Sequence, residues 1–143
     1  MITSRVSFDY KPIRFDFKLK NRIVVVDGDT GTGKSMFCAL LGIEKKTMAK
    51  SPFSFEITIF NEDLPLELDM LKALSERLIV IDNADMLLTD SVVAYIAQDD
   101  VHQYLIFARV PWDFRIKPDN FAEIEFDEEV KTYYLKYFEV PGW

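Results

Sequence analysis

An α/β fold on a central, mainly parallel sheet is what this 143-residue chain predicts. Three observations carry that expectation. Ile23 to Val26, Leu78 to Ile81 and Leu105 to Ala108 are unbroken apolar runs, the pattern of parallel strands covered on both faces. Stretches of helical period separate them. Towards both ends of the chain apolar and polar residues alternate, as in strands with one wet face. The expected architecture is a three-layer sandwich with antiparallel N-terminal and C-terminal edge strands and right-handed crossovers.

Each element has its own signal. Arg5 to Tyr10 and Arg14 to Lys20 read as an antiparallel pair turning at Lys11-Pro12, with Val6, Phe8, Tyr10, Phe15, Phe17 and Leu19 on one face. A helix is expected from Lys34 to Lys46, with Phe37, Leu40 and Leu41 on its inner stripe. Phe53 to Phe60 alternates as an edge strand. A short helix follows Pro65, with Met70, Leu71 and Leu74 turned inward, and Ser91 caps another through Ala97. Phe121 to Phe126 and Thr132 to Phe138 read as a final hairpin through Asp127-Glu128-Glu129. Period-two aromatics such as Tyr133 and Tyr137 are expected to pack rather than to bind.

Residues 28 to 35 read Gly-Asp-Thr-Gly-Thr-Gly-Lys-Ser, a complete G-x-x-x-x-G-K-[ST] loop directly after the first apolar run. A polyphosphate needs many inward-pointing donors and no obstructing side chains. Gly28, Gly31 and Gly33 meet both demands, bringing main-chain N–H groups close to phosphate oxygens. Asp29, Thr30, Thr32 and Met36 complete the expected phosphate-binding stretch. Lys34 would reach the β- and γ-phosphates, Ser35 would place its hydroxyl on Mg²⁺, and the helix beginning there adds its positive end.

Residues 76 to 85 read Glu-Arg-Leu-Ile-Val-Ile-Asp-Asn-Ala-Asp, an apolar strand delivering Asp82 to the end of the sheet where the loop lies. This is a Walker B pattern, in which the carboxylate holds Mg²⁺. Together the two stretches resemble the P-loop NTPase superfamily, and the Asp-Asn-Ala-Asp stretch looks like its additional-strand branch of AAA+ and helicase-like ATPases. The resemblance implies a three-layer P-loop NTPase sandwich, formed by residues 1–143 as a single nucleotide-binding domain, with ATP and Mg²⁺ as cofactors. The chain departs from the pattern at Asn83, where that branch carries a glutamate that orients the attacking water. An amide is no general base, so Asp85, or an acid on another strand such as Glu56, is expected to substitute.

Arg109 follows the third apolar run, where the resemblance implies a polar sensor of the γ-phosphate. With Arg115 it also suits the lid of a small-molecule kinase. No N-K-x-D stretch is present to select guanine, so adenine is the expected base.

A net charge of −7 argues against non-specific nucleic-acid binding. The single cysteine, Cys38, is expected to be a packed, inert thiol in a reducing compartment. His102 has no Cys or His neighbours with which to build a zinc site. No secretion signal or membrane-length apolar run occurs, so a soluble, cytoplasmic protein is expected. Three functional readings follow: an ATP-binding protein with weak or partner-dependent hydrolysis, with another protein or a second copy completing the site; a small-molecule kinase; or a nucleotide-dependent interaction module.

Overall fold

The computed structural model describes residues 1–27, 33–47 and 53–138; the side chains of 44–47 are outside that description. Its centre is one eight-stranded mixed sheet. The strands are β1 (Arg5–Tyr10), β2 (Ile13–Lys18), β3 (Ile23–Asp27), β4 (Ile57–Phe60), β5 (Leu78–Ile81), β6 (Gln103–Ala108), β7 (Phe121–Asp127) and β8 (Thr132–Tyr137), in the spatial order β1-β2-β8-β7-β3-β6-β5-β4. The helices among the described residues are α1 (Lys34–Thr47), α2 (Leu68–Ala73), α3 (Ala84–Leu87) and α4 (Asp90–Gln98). None of them is long and apolar enough to cross a membrane.

Five neighbouring strands, β4, β5, β6, β3 and β7, run parallel. Along them alternate residues face opposite sides of the sheet. Val24, Val26, Leu78, Val80, Leu105 and Phe107 pack in one core with Phe37, Leu40 and Leu41 of α1. Ile23, Val25, Ile79, Ile81, Tyr104 and Ile106 pack in a second core with Leu71 of α2, Ala84 of α3, and Val92, Val93 and Ile96 of α4. The unbroken apolar runs thus follow from helices covering both faces. Arg22 fastens one of them, donating from Nη2 to the carbonyls of Ile96 and Ala97, where a cation complements the C-terminal end of α4.

The N-terminal antiparallel pair forms as expected, with Val6 opposite Phe17 and Phe8 opposite Phe15. The C-terminal pair is antiparallel as expected, but it is not an edge. β7 pairs in parallel with β3, and β8 sits between β7 and β2, parallel to β2. The reason is burial: Phe15 and Phe17 of β2 reach the α1-side core only if a strand fills the space between β2 and the parallel strands. Tyr137 secures that arrangement, its hydroxyl donating to the Lys18 carbonyl and accepting from Lys20 N–H. Among the described residues only β1 and β4 are edge strands, which limits exposed pairing groups.

Other differences are local. β4 is shorter than the alternation of Phe53 to Phe60 suggests, because its one neighbour, β5, offers four partners. Phe53 and Phe55 instead lie against the α1-side core. Tyr10 is 51% exposed and Met70 36%, so neither joins the inner face expected of it. Thr89, not Ser91, caps α4, accepting from Val92 N–H at 3.3 Å.

Phe37 is fully buried, with its ring centroid 4.3 Å from that of Phe17 and 5.9 Å from that of Phe107. It joins α1 to both the hairpin and the parallel strands. Phe37→Ala is expected to cost about 3–5 kcal/mol, against a total stability of roughly 5–15 kcal/mol for such domains. Urea unfolding checks this; an unchanged midpoint would show that α1 is anchored elsewhere.

Candidate functional site

A strand buried on both faces leaves charged residues only its ends, and the parallel strands here place them together. Asp27 ends β3, Asn61 follows β4, Asp82 follows β5 and Arg109 follows β6, all at the carboxyl edge of the sheet. A cleft of about 550 Å³ opens at that edge. Lys34 and Ser35 at the start of α1, Asp82, Asn83, Asp85 and Arg109 all line it. Lys34 Nζ lies 3.7 Å from Asp82 Oδ1, with the two side chains 15% and 26% exposed.

Gly28, Asp29, Thr30, Gly31 and Thr32 lie outside the described residues, as do Val140 to Trp143. Gly33 is described, at φ +96°, a conformation open to glycine and rare for other residues. A Cβ there would stand 2.9 Å from Cε1 of Tyr133. That ring has little room to retreat, being stacked on Phe15 and packed on Phe126. Met36 is half-buried against the α1-side core and does not line the cleft.

Asn83 occupies the left-handed region, φ 56° and ψ 53°, and turns the chain from β5 into α3. Asp85, two residues on, points its carboxylate at the segment after β6. Oδ2 accepts from Arg109 N–H at 2.9 Å, and Oδ1 from Val110 N–H at 3.1 Å and Trp112 Nε1–H at 3.0 Å. Partial burial pushes the Asp85 pKa up, but these bonds and the Arg109 charge outweigh it and hold the pKa below the usual aspartate value. A carboxylate so engaged is a weaker proton acceptor than a free one.

Glu56 lies at the amino end of β4, where its carbonyl accepts from Leu78 N–H, so it is at the opposite end of the strand from the cleft. Arg115 is exposed and is not among the lining residues. Two acids that sequence reasoning passed over do line the cleft: Glu62 and Asp63, in a turn where Asn61 Oδ1 accepts from Asp63 and Leu64 N–H groups. Their signal was available as the first polar residues after the apolar end of β4.

Cys38 is buried on α1; burial, and then the charge of Asp82, push its thiol pKa well up, with Lys34 opposing. It is a packed thiol. His102 is buried, with Nε2 3.0 Å from the Leu71 carbonyl oxygen. Among the described residues no group of three or more His, Cys, Asp or Glu side chains is arranged to hold a metal ion. Ser35 and Asp82 do supply hard oxygen donors to the cleft, which suits Mg²⁺ arriving with phosphate oxygens and water rather than held in a protein cage.

No family model, curated protein or solved structure matches the chain.

Two outcomes are expected from this geometry. Gly33→Ala should cost about 1–3 kcal/mol from backbone strain alone, with more from the Tyr133 contact. A double-mutant cycle with Tyr133→Ala should recover the second part only; strict additivity would remove Tyr133 from the effect. Asp85 has a folded-state pKa below its unfolded one, so its stabilising effect is in place above about pH 4 and is lost as pH falls through the lower folded value. The Trp112 indole N–H resonance should therefore hold steady down to about pH 4 and move only below it; a midpoint at pH 5 or above would contradict the three-bond arrangement.

Proposed function

We propose that the protein binds ATP with Mg²⁺ as a P-loop NTPase of the additional-strand branch, and that its hydrolysis is weak or depends on a partner. The observation that carries this reading is the convergence of Lys34 and Ser35 with Asp82 on one cleft, with Lys34 3.7 Å from Asp82. In that reading residues 28–33 cradle the phosphates, Lys34 meets the β- and γ-phosphates, Ser35 and Asp82 hold Mg²⁺, and Arg109 faces the terminal phosphate. Bound Mg²⁺ would neutralise charge on the phosphate oxygens. The cleft needs that, because its lining has Glu62, Asp63, Asp82 and Asp85 against Lys34 and Arg109.

Strand order supports the branch. β6 lies between β3, which leads into the phosphate loop, and β5, which carries Asp82. In a small-molecule kinase those two strands would be neighbours. The exposure of Arg115, outside the cleft lining, further weakens the kinase reading.

Slow turnover follows from the acids available. Asn83 cannot take a proton, Asp82 is paired with Lys34 and assigned to the metal, and Asp85 is engaged by the segment after β6. Glu62 and Asp63 are left to orient a water, and both are exposed on a turn at the cleft rim. A second copy or a partner protein closing over that rim would shield and order them. A nucleotide-dependent interaction module, in which ATP orders a surface for a partner and turnover is incidental, would use the same site.

Calorimetric titration with Mg²⁺·ATP tests the reading. Wild type should give a saturable heat, and Lys34→Ala should abolish it while the far-UV spectrum stays native; wild-type affinity in Lys34→Ala would sink the phosphate-site assignment. Replacing Glu62 and Asp63 together by Gln and Asn should leave binding within a few-fold and remove residual phosphate release, and unchanged release would clear both acids of the role.

A further inference from the structure

We propose that Asp85 is a positioning residue: it ties the segment after β6 to the turn after β5 and so sets Arg109 against the terminal phosphate. This rests on the nucleotide reading above. The segment from Arg109 to Trp112 follows the end of β6, with Arg109 lining the cleft. Asp85 supplies acceptors to two of those amides and to the indole, at 2.9, 3.1 and 3.0 Å. Beyond the clamp, Phe114 is buried in the second core and Trp112 packs on its margin, so the far end of the segment is anchored by apolar contact. Asp85 is the polar anchor of the near end. Asp82 and Asp85 flank the same turn, so the carboxylate assigned to Mg²⁺ and the backbone of Arg109 are tied to one short segment. Three accepted bonds leave the carboxylate occupied in the very interactions that fix the arginine's backbone, which sets this role against that of proton acceptor.

The inference is tested with wild type, Asp85→Asn, Trp112→Phe, Arg109→Ala and the Asp85→Asn/Arg109→Ala pair. The first readout needs no nucleotide: amide exchange at Arg109 and Val110, followed by NMR. Asp85→Asn turns an N–H donor towards at least one of these donors and should speed exchange about tenfold to a hundredfold. Trp112→Phe removes one bond, spares the carboxylate, and should give a smaller change of the same kind. The second readout is Mg²⁺·ATP affinity by calorimetry. Asp85→Asn should weaken binding by a factor close to that of Arg109→Ala, and the pair should be no weaker than Arg109→Ala alone, as expected for residues acting through one contact.

Unchanged exchange in Asp85→Asn, or losses of affinity that multiply in the pair, would overturn the proposal. So would a turnover defect in Asp85→Asn with no trace in Trp112→Phe, the signature of a general base. The nucleotide reading fails separately: wild type would give no saturable heat, and the phosphate role of the clamp would fall with it. Should Asp85→Asn not fold, Trp112→Phe still carries the test through exchange and affinity.

Discussion

The burial of the parallel strands on both faces is the constraint from which the rest follows. β3, β5 and β6 each bury alternate side chains in two separate cores, so no charged group can stand along their length without losing hydration. Chemistry is pushed to the strand ends, and parallel pairing puts equivalent ends on the same edge. Asp27, Asn61, Asp82 and Arg109 are brought together by this rule before any specific contact is considered. α1 then adds Lys34 and Ser35 from the loop that leaves β3, since a crossover must begin where its strand stops.

How much of this was legible depended on whether the signal was local. The three apolar runs, the stripe of α1 and the position of Asp82 are written in neighbouring residues, and all are found where the pattern puts them. The place of β8 was not legible, because whether a hairpin lies at an edge or inside a sheet depends on which distant strand it joins. Here Phe15 and Phe17 decide it from more than a hundred residues away. The role of Asp85 was hidden for the same reason. Its sequence position, three residues after Asp82, suggests a base for the attacking water, while its partners lie 24 and 25 positions downstream. Glu62 and Asp63 had a local signal, but one shared by any solvated turn after an edge strand.

Charge gives the cleft its character. Four acids and two cations among its lining residues make it a poor place for a bare anion, even with the start of α1 beside it. In the proposed reading phosphate would enter with a divalent cation, and Asp82, paired with Lys34 at 3.7 Å, would then be shared between the lysine and the metal. Moving Lys34 from Asp82 to phosphate oxygens would free the carboxylate for Mg²⁺. The ion pair thereby acts as a placeholder that keeps both side chains in the cleft and off the apolar walls.

Asn83 has a backbone reason as well as a chemical consequence. At φ 56° and ψ 53° it sits where most residues are strained by about 1–2 kcal/mol, and asparagine is among the few that go there readily. That left-handed turn starts α3 early enough for Asp85 to face the segment after β6 rather than solvent. A glutamate at 83 would bring a proton acceptor to the cleft and at the same time disfavour the turn on which the Asp85 bonds depend. Under the proposed nucleotide reading, absence of an intrinsic base and placement of Arg109 would be two results of one residue, and both would favour binding ATP over turning it over without a partner.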